Sequence, residues 1–108
     1  MAGQVLTVVS ASVDPAQEEH LAAAYQAVLD ADVPDGILAS ALLRGDGNQW
    51  QITTLWRDRA ALDAMRARMR DHPELPAAPR VFRDVGAEPT LAVFDVINGL
   101  QRPAAPTH

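Results

Sequence analysis

The chain contains no cysteine. Disulfides, thiolate chemistry and cysteine-ligated metals are therefore excluded, which fits a reducing, cytoplasmic setting. Aromatic residues make up only 5% of the 108 positions, with two tryptophans, one tyrosine and two phenylalanines. Positive charge is also short: nine basic side chains stand against fourteen acidic ones, for a net charge of −5. A surface of that sign repels phosphates, so non-specific nucleic-acid binding is not expected. No apolar run approaches the ~20 residues needed to cross a bilayer. The first residues lack the basic stretch and apolar segment of a signal peptide, so no membrane partner is expected either. His20, His72 and His108 are dispersed, and no pair has the spacing of metal ligands, so no metal site is predicted.

What remains is an ordinary globular composition, 48% hydrophobic and 21% charged, at the length of one domain. Residues 1–100 are read as that domain. Residues 101–108, with two prolines and little to bury, are read as a flexible tail. Val5–Val13 is rich in β-branched residues and apolar on both sides at its start, which suits a strand. Asp14-Pro15 opens a helix, with aspartate as N-cap, proline at the first helical position and Gln17 where a capping box puts its glutamine. Leu21, Ala24, Tyr25, Val28 and Leu29 form its apolar stripe. After the turn Val33-Pro34-Asp35-Gly36, Ile37–Arg44 and Gln49–Arg57 read as two strands joined by the hairpin turn Gly45-Asp46-Gly47-Asn48.

The block Gln49–Met69 carries the most information. Trp50, Ile52, Thr54 and Trp56 alternate onto one face of a strand, and Leu62, Met65 and Met69 then line one stripe of a helix. Asp58 can cap that helix, and His72-Pro73 ends it. A short helix over Arg80–Val85 and a fourth strand, Thr90–Val96, complete the chain. The element order predicts an α+β, ferredoxin-like β-α-β-β-α-β fold: a four-stranded antiparallel sheet with its helices on one face. The other face is also apolar, a patch too large for a lone monomer. A homodimer with two sheets packed face to face, a dimeric α/β barrel, is therefore expected.

The strand run Val5–Val13, the Asp14-Pro15 helix start, the segment Trp56-Arg57-Asp58-Arg59-Ala60-Ala61-Leu62 and the closing Gly86-Ala87-Glu88-Pro89-Thr90 together resemble the antibiotic biosynthesis monooxygenase family of the dimeric α/β-barrel group. The resemblance spans roughly Val5 to Val96. It implies a cofactor-free oxygenase acting on a small aromatic or polyketide-type metabolite. Many members carry a histidine where this chain has Met65. The haem-degrading branch has an Asn, Trp and His constellation; the first strand here has no asparagine, so haem degradation is not expected.

Such an oxygenase needs a dry, apolar site for an electron-rich ring, with a base or donors for its phenolate. Trp56, Trp50 and Tyr25 are the candidates to bind the ring, and Arg57 to bind an anionic group, with Arg44 as a second strand-end cation. His72 and His20 are the candidate bases. Each also has a plainer reading. The tryptophans could be core or interface residues, and Tyr25 a buried hydroxyl bonded to backbone. Arg44 and Arg57 could pair with Asp46 and Asp58, and the histidines could lie at a helix boundary and a helix end. The arginines at positions 57, 59, 66, 68 and 70 read as a solvated face offset by Asp58, Asp63 and Asp71. Two other readings remain open: a non-catalytic ligand-binding or accessory protein of the same fold, and an isomerase or cyclase of a sister dimeric α/β-barrel family.

Overall fold

Aspartate and proline fix where the chain leaves its strands. In the computed structural model, which describes residues 3–31, 33–71 and 77–99, Asp14 Oδ1 accepts a hydrogen bond from the Ala16 N–H at 2.9 Å. Asp58 Oδ1 likewise accepts from the Ala61 N–H at 2.8 Å. Each satisfies a donor that a helix start leaves without an internal partner. The elements are β1 (Val5–Ser12), a single 3-10 turn (Pro15–Gln17), α1 (Glu18–Asp30), β2 (Ile37–Arg44), β3 (Gln49–Trp56), α2 (Arg59–Asp71), α3 (Ala77–Asp84) and β4 (Thr90–Asp95).

Two details differ from the sequence reading. The first helix becomes regular only after the 3-10 turn, and Gln17 does not close a capping box; its side-chain oxygen meets the His20 ring at 3.2 Å. The third helix begins at Ala77, ahead of the expected Arg80, and ends at Asp84, before a turn at Gly86. That glycine takes φ +79°, a left-handed turn costly for other residues, and its N–H bonds the Arg83 carbonyl at 3.0 Å. His72 and the tail from 101 to 108 lie outside the described residues.

The strands lie in the order β2-β3-β1-β4, each antiparallel to its neighbours. This is the ferredoxin-like sheet. Pairing of β1 with β3 sets Val5 opposite Trp56, Thr7 opposite Thr54, Val9 opposite Ile52 and Ala11 opposite Trp50. Because side chains alternate across a strand, these eight residues share one face, and all are buried. Helices α1, α2 and α3 pack on that face. The core falls into two groups. One gathers Trp50, Ala11, Val9, Leu21, Val81 and Phe82 near the hairpin. The other gathers Val5, Trp56 and Leu62, with Ile37 and Met65 against them. On the opposite face the register brings Leu6 beside Leu55 and Phe94, and Val8 beside Ala92. There Phe94 remains 53% exposed and Leu43 43%. Among the described residues no helix is long and apolar enough to cross a membrane.

The turn before β2 locks α2 against the sheet. The Gly36 carbonyl accepts the Arg57 N–H at 2.8 Å. A Cβ at Gly36 would overlap the Ala61 side chain, and the overlap is against a helix rather than a flexible tip. Gly36→Ala should therefore destabilise the fold by about 1–3 kcal/mol, the range for overpacking. Urea unfolding would show this as a lower midpoint at constant slope; an unchanged midpoint would mean that α2 is not seated on this turn.

Candidate functional site

The two core groups do not meet. Between them, in the middle of the sheet, the apolar faces of β1 and β3 are interrupted at opposed positions by Thr7 and Thr54, each 8% exposed. Above this pair the helices leave a cavity of about 410 Å³. That volume lies within the usual range for small-molecule sites, roughly 300–1,000 Å³. Thr7, Val9, Ile52 and Thr54 form its floor. Tyr25 and Val28 of α1, Leu62 and Met65 of α2, and Ala78 and Val81 of α3 contribute walls. Leu29, Val33 and Leu91 stand at the edge, each more than a third exposed.

Few polar atoms serve this cavity. The Trp56 indole N–H donates to Thr7 Oγ1 at 3.2 Å, and the Thr7 hydroxyl in turn points to the Thr54 carbonyl at a longer 3.5 Å. Trp56 therefore has its one donor occupied and offers a ligand its ring alone. On the other side Tyr25 Oη and Ser40 Oγ lie 2.7 Å apart, joining α1 to β2. Either hydroxyl can be the donor. Whichever donates, the other keeps a proton free for a ligand. The remaining polar lining is Arg66 and Arg68, from α2. Among the described lining residues there is no carboxylate and no imidazole. Nor do the described residues gather three or more His, Cys, Asp or Glu side chains in a group that could hold a metal ion.

Of the residues singled out in the sequence, Trp56 and Tyr25 come together at this cavity. The partner of Tyr25 is a side-chain hydroxyl, not backbone. Trp50 shares the face of Trp56 but lies six residues away along β3, roughly 20 Å at strand spacing. It packs with Leu21 and Phe82 in the hairpin-end core, under the Arg44 guanidinium, which sits 5.8 Å from its ring centroid. Its indole nitrogen is buried without a partner. Arg57 is outside the cavity and pairs with Asp58 at 3.4 Å. Arg44 reaches Glu18 at 3.8 Å rather than Asp46. His20 is exposed on α1 against Gln17, also away from the cavity.

Thr7, Ser40, Thr54, Arg66 and Arg68 also line the cavity, and none of them is a site candidate from sequence. The threonines did carry a signal, as polar breaks at the centre of two apolar faces. That signal is readable only once the register sets them opposite each other. Arg66 and Arg68 belong to the face that the sequence reads as solvated and offset by Asp58, Asp63 and Asp71, and no ion pair joins either of them to a described carboxylate.

The model of the antibiotic biosynthesis monooxygenase family matches residues 5–70, more than half of the chain. The chain belongs to this family. Solved structures agree on the fold. SnoaB, a cofactor-independent oxygenase from Streptomyces nogalater, is 24% identical, with 94% of this chain and 100% of that one covered at a TM-score of 0.64. A dimeric ferredoxin-like protein from an uncultured marine organism is 16% identical over 93% of this chain and 100% of that one, at a TM-score of 0.68. A candidate antibiotic biosynthesis monooxygenase from Deinococcus radiodurans is 14% identical over 93% and 99%, at 0.63. No curated protein matches the chain. Met65 contributes to a wall of the cavity.

The bond from Trp56 to Thr7 should be measurable. Thr7→Val keeps the shape but leaves the buried indole N–H without an acceptor, a loss of about 1–3 kcal/mol. Chemical denaturation should show that loss, while Thr7→Ser, which restores the hydroxyl, should recover most of it. A loss in Thr7→Ser with none in Thr7→Val would show that the threonine methyl, not the hydroxyl, matters.

Proposed function

We propose that the chain is a monooxygenase that oxidises a small aromatic metabolite in the cavity between sheet and helices, without metal or flavin. The observation that carries this reading is the cavity itself: apolar on most of its wall, lined by a tryptophan whose N–H is bonded to Thr7, and supplied with one hydroxyl pair. With no added reductant, the substrate must supply all four electrons that reduce dioxygen. A ring CH₂ or an activated phenol C–H meets that condition. One oxygen atom becomes the new carbonyl and the other leaves as water, as in CH₂ + O₂ → C=O + H₂O. The substrate must first lose a proton to become electron-rich enough to react with oxygen.

The residues of this chain would bind, orient and shield. Trp56 presents a ring face, and the Tyr25–Ser40 pair keeps one O–H for the developing phenolate or enolate oxygen. Val28, Leu62 and Met65 keep water from the reacting carbon. His72 stays the candidate base from sequence, while His20, exposed beyond the cavity, is not given that role. A second reading is a binding module of the same fold. It is favoured by the lack of any group titrating near neutrality among the described lining residues.

Oxygen uptake distinguishes these readings. With a hydroxylated anthrone as probe, the purified chain should consume one dioxygen per quinone formed, faster than the uncatalysed background. Tyr25→Phe should lower kcat/KM about tenfold, equivalent to about 1.4 kcal/mol of transition-state stabilisation. Binding without uptake would leave the module, and conversion without uptake would point to an isomerase or cyclase.

The working unit in this proposal is a homodimer. The support is the half-open apolar sheet face around Leu6, Val8, Leu55 and Phe94, and the dimeric state named for a structural neighbour. Light scattering at micromolar concentration should give twice the chain mass of 11.6 kDa. Phe94→Asp, which sets a charge on that face, should give a folded monomer. A wild-type monomer would refute the dimer.

A further inference from the structure

Five arginines of this chain fall into two kinds. Arg44, Arg57 and Arg59 each have a carboxylate within 4 Å: Glu18 at 3.8 Å, Asp58 at 3.4 Å and Asp95 at 3.2 Å. All three lie outside the cavity. Arg66 and Arg68 line it, and among the described residues neither has an ion pair or a hydrogen bond. Asp63 is one helical turn before Arg66, a spacing that allows pairing, yet it forms no pair with it. In a chain of net charge −5, two guanidinium groups without a partner among the described residues, beside an apolar cavity, are a local reversal of sign.

We propose that the ligand of this cavity carries an anionic group, and that Arg66 and Arg68 receive it. The inference rests on the reading of the cavity as an aromatic site and names the class of ligand it takes: a planar ring system bearing a carboxylate or an equivalent anion. The rings lie inward over Thr7, Thr54 and Trp56, and the charge lies outward at α2. Arg66 is half-buried and Arg68 exposed at the rim, and a charge-assisted bond is stronger than one between neutral groups. Guanidinium is suited to this role because it stays charged and offers paired donors that match two carboxylate oxygens. The same placement orients a ligand, since its charged end cannot enter the apolar interior without losing hydration.

Isothermal titration of the full chain with 2-naphthoate and with the neutral isostere 2-naphthamide, at neutral pH, tests this directly. Naphthoate should bind at least tenfold tighter, a difference of about 1.4 kcal/mol. The preference should shrink as salt rises. Replacing both arginines (Arg66→Gln with Arg68→Gln) should abolish the preference while naphthamide affinity holds. Should the double variant fail to fold, the salt dependence in the wild type and each single variant carry the same test. Equal affinities for the two probes, or a preference that survives both substitutions, overturn the anionic class and leave the aromatic site standing. If neither probe binds at millimolar concentration, the aromatic-site reading fails, and this inference fails with it.

Discussion

One hydrogen bond organises the centre of this molecule: the Trp56 indole to the Thr7 hydroxyl, at 3.2 Å and fully under the helices. It ties the last residue of β3 to the middle of β1 and holds the ring at a fixed angle. It requires a particular register, Val5 opposite Trp56 and Thr7 opposite Thr54. A slip of β3 by one residue would send Thr54 and both tryptophans to the other face and leave Thr7 behind. The same register sets the two core groups apart and leaves the space between them. The cavity is therefore a consequence of strand pairing, and the helices only close it.

That arrangement has a thermodynamic side. A chain of 108 residues has limited surface to bury, and this one leaves part of its interior empty. The two compact groups at either end compensate, with Phe82 and Leu21 anchoring one and Leu62 the other, all at 1% exposure or less. Burial of such side chains is worth about 1.5–3 kcal/mol each. The uncovered sheet face supplies a further reserve. A second sheet laid over it would bury Phe94 and Leu6 and stiffen the floor of the cavity from behind.

Much of the fold was legible in sequence because its punctuation is local. Asp14-Pro15, Asp58 and Gly86 act through bonds to residues two or three positions away, and each sits at an element boundary. The alternation of Trp50, Ile52, Thr54 and Trp56 reported its strand face correctly. The site was harder to read because it is assembled across the sheet. Tyr25 meets Ser40, fifteen positions on, and Thr7 meets Trp56, forty-nine positions on. Composition cannot show such pairs. Nor could charge balance along α2 show that Arg66 and Asp63 stay apart. The sequence already sets the two tryptophans apart, Trp56 at the strand end beside α2 and Trp50 beside the hairpin turn. Strand length separates them, since six residues of β3 carry Trp50 into the hairpin-end core.

The central claim is that an aromatic ligand occupies the space between the two cores, against Trp56. The most direct measurement is the nuclear Overhauser effect between a bound naphthalene probe and protein protons in a Trp50→Phe chain, where Trp56 is the only indole. Cross-peaks from the probe to the Trp56 ring and to the Thr7 and Leu62 methyls are predicted. Cross-peaks confined to Phe94, Leu6 and Leu55 would place the ligand on the open sheet face and contradict the account.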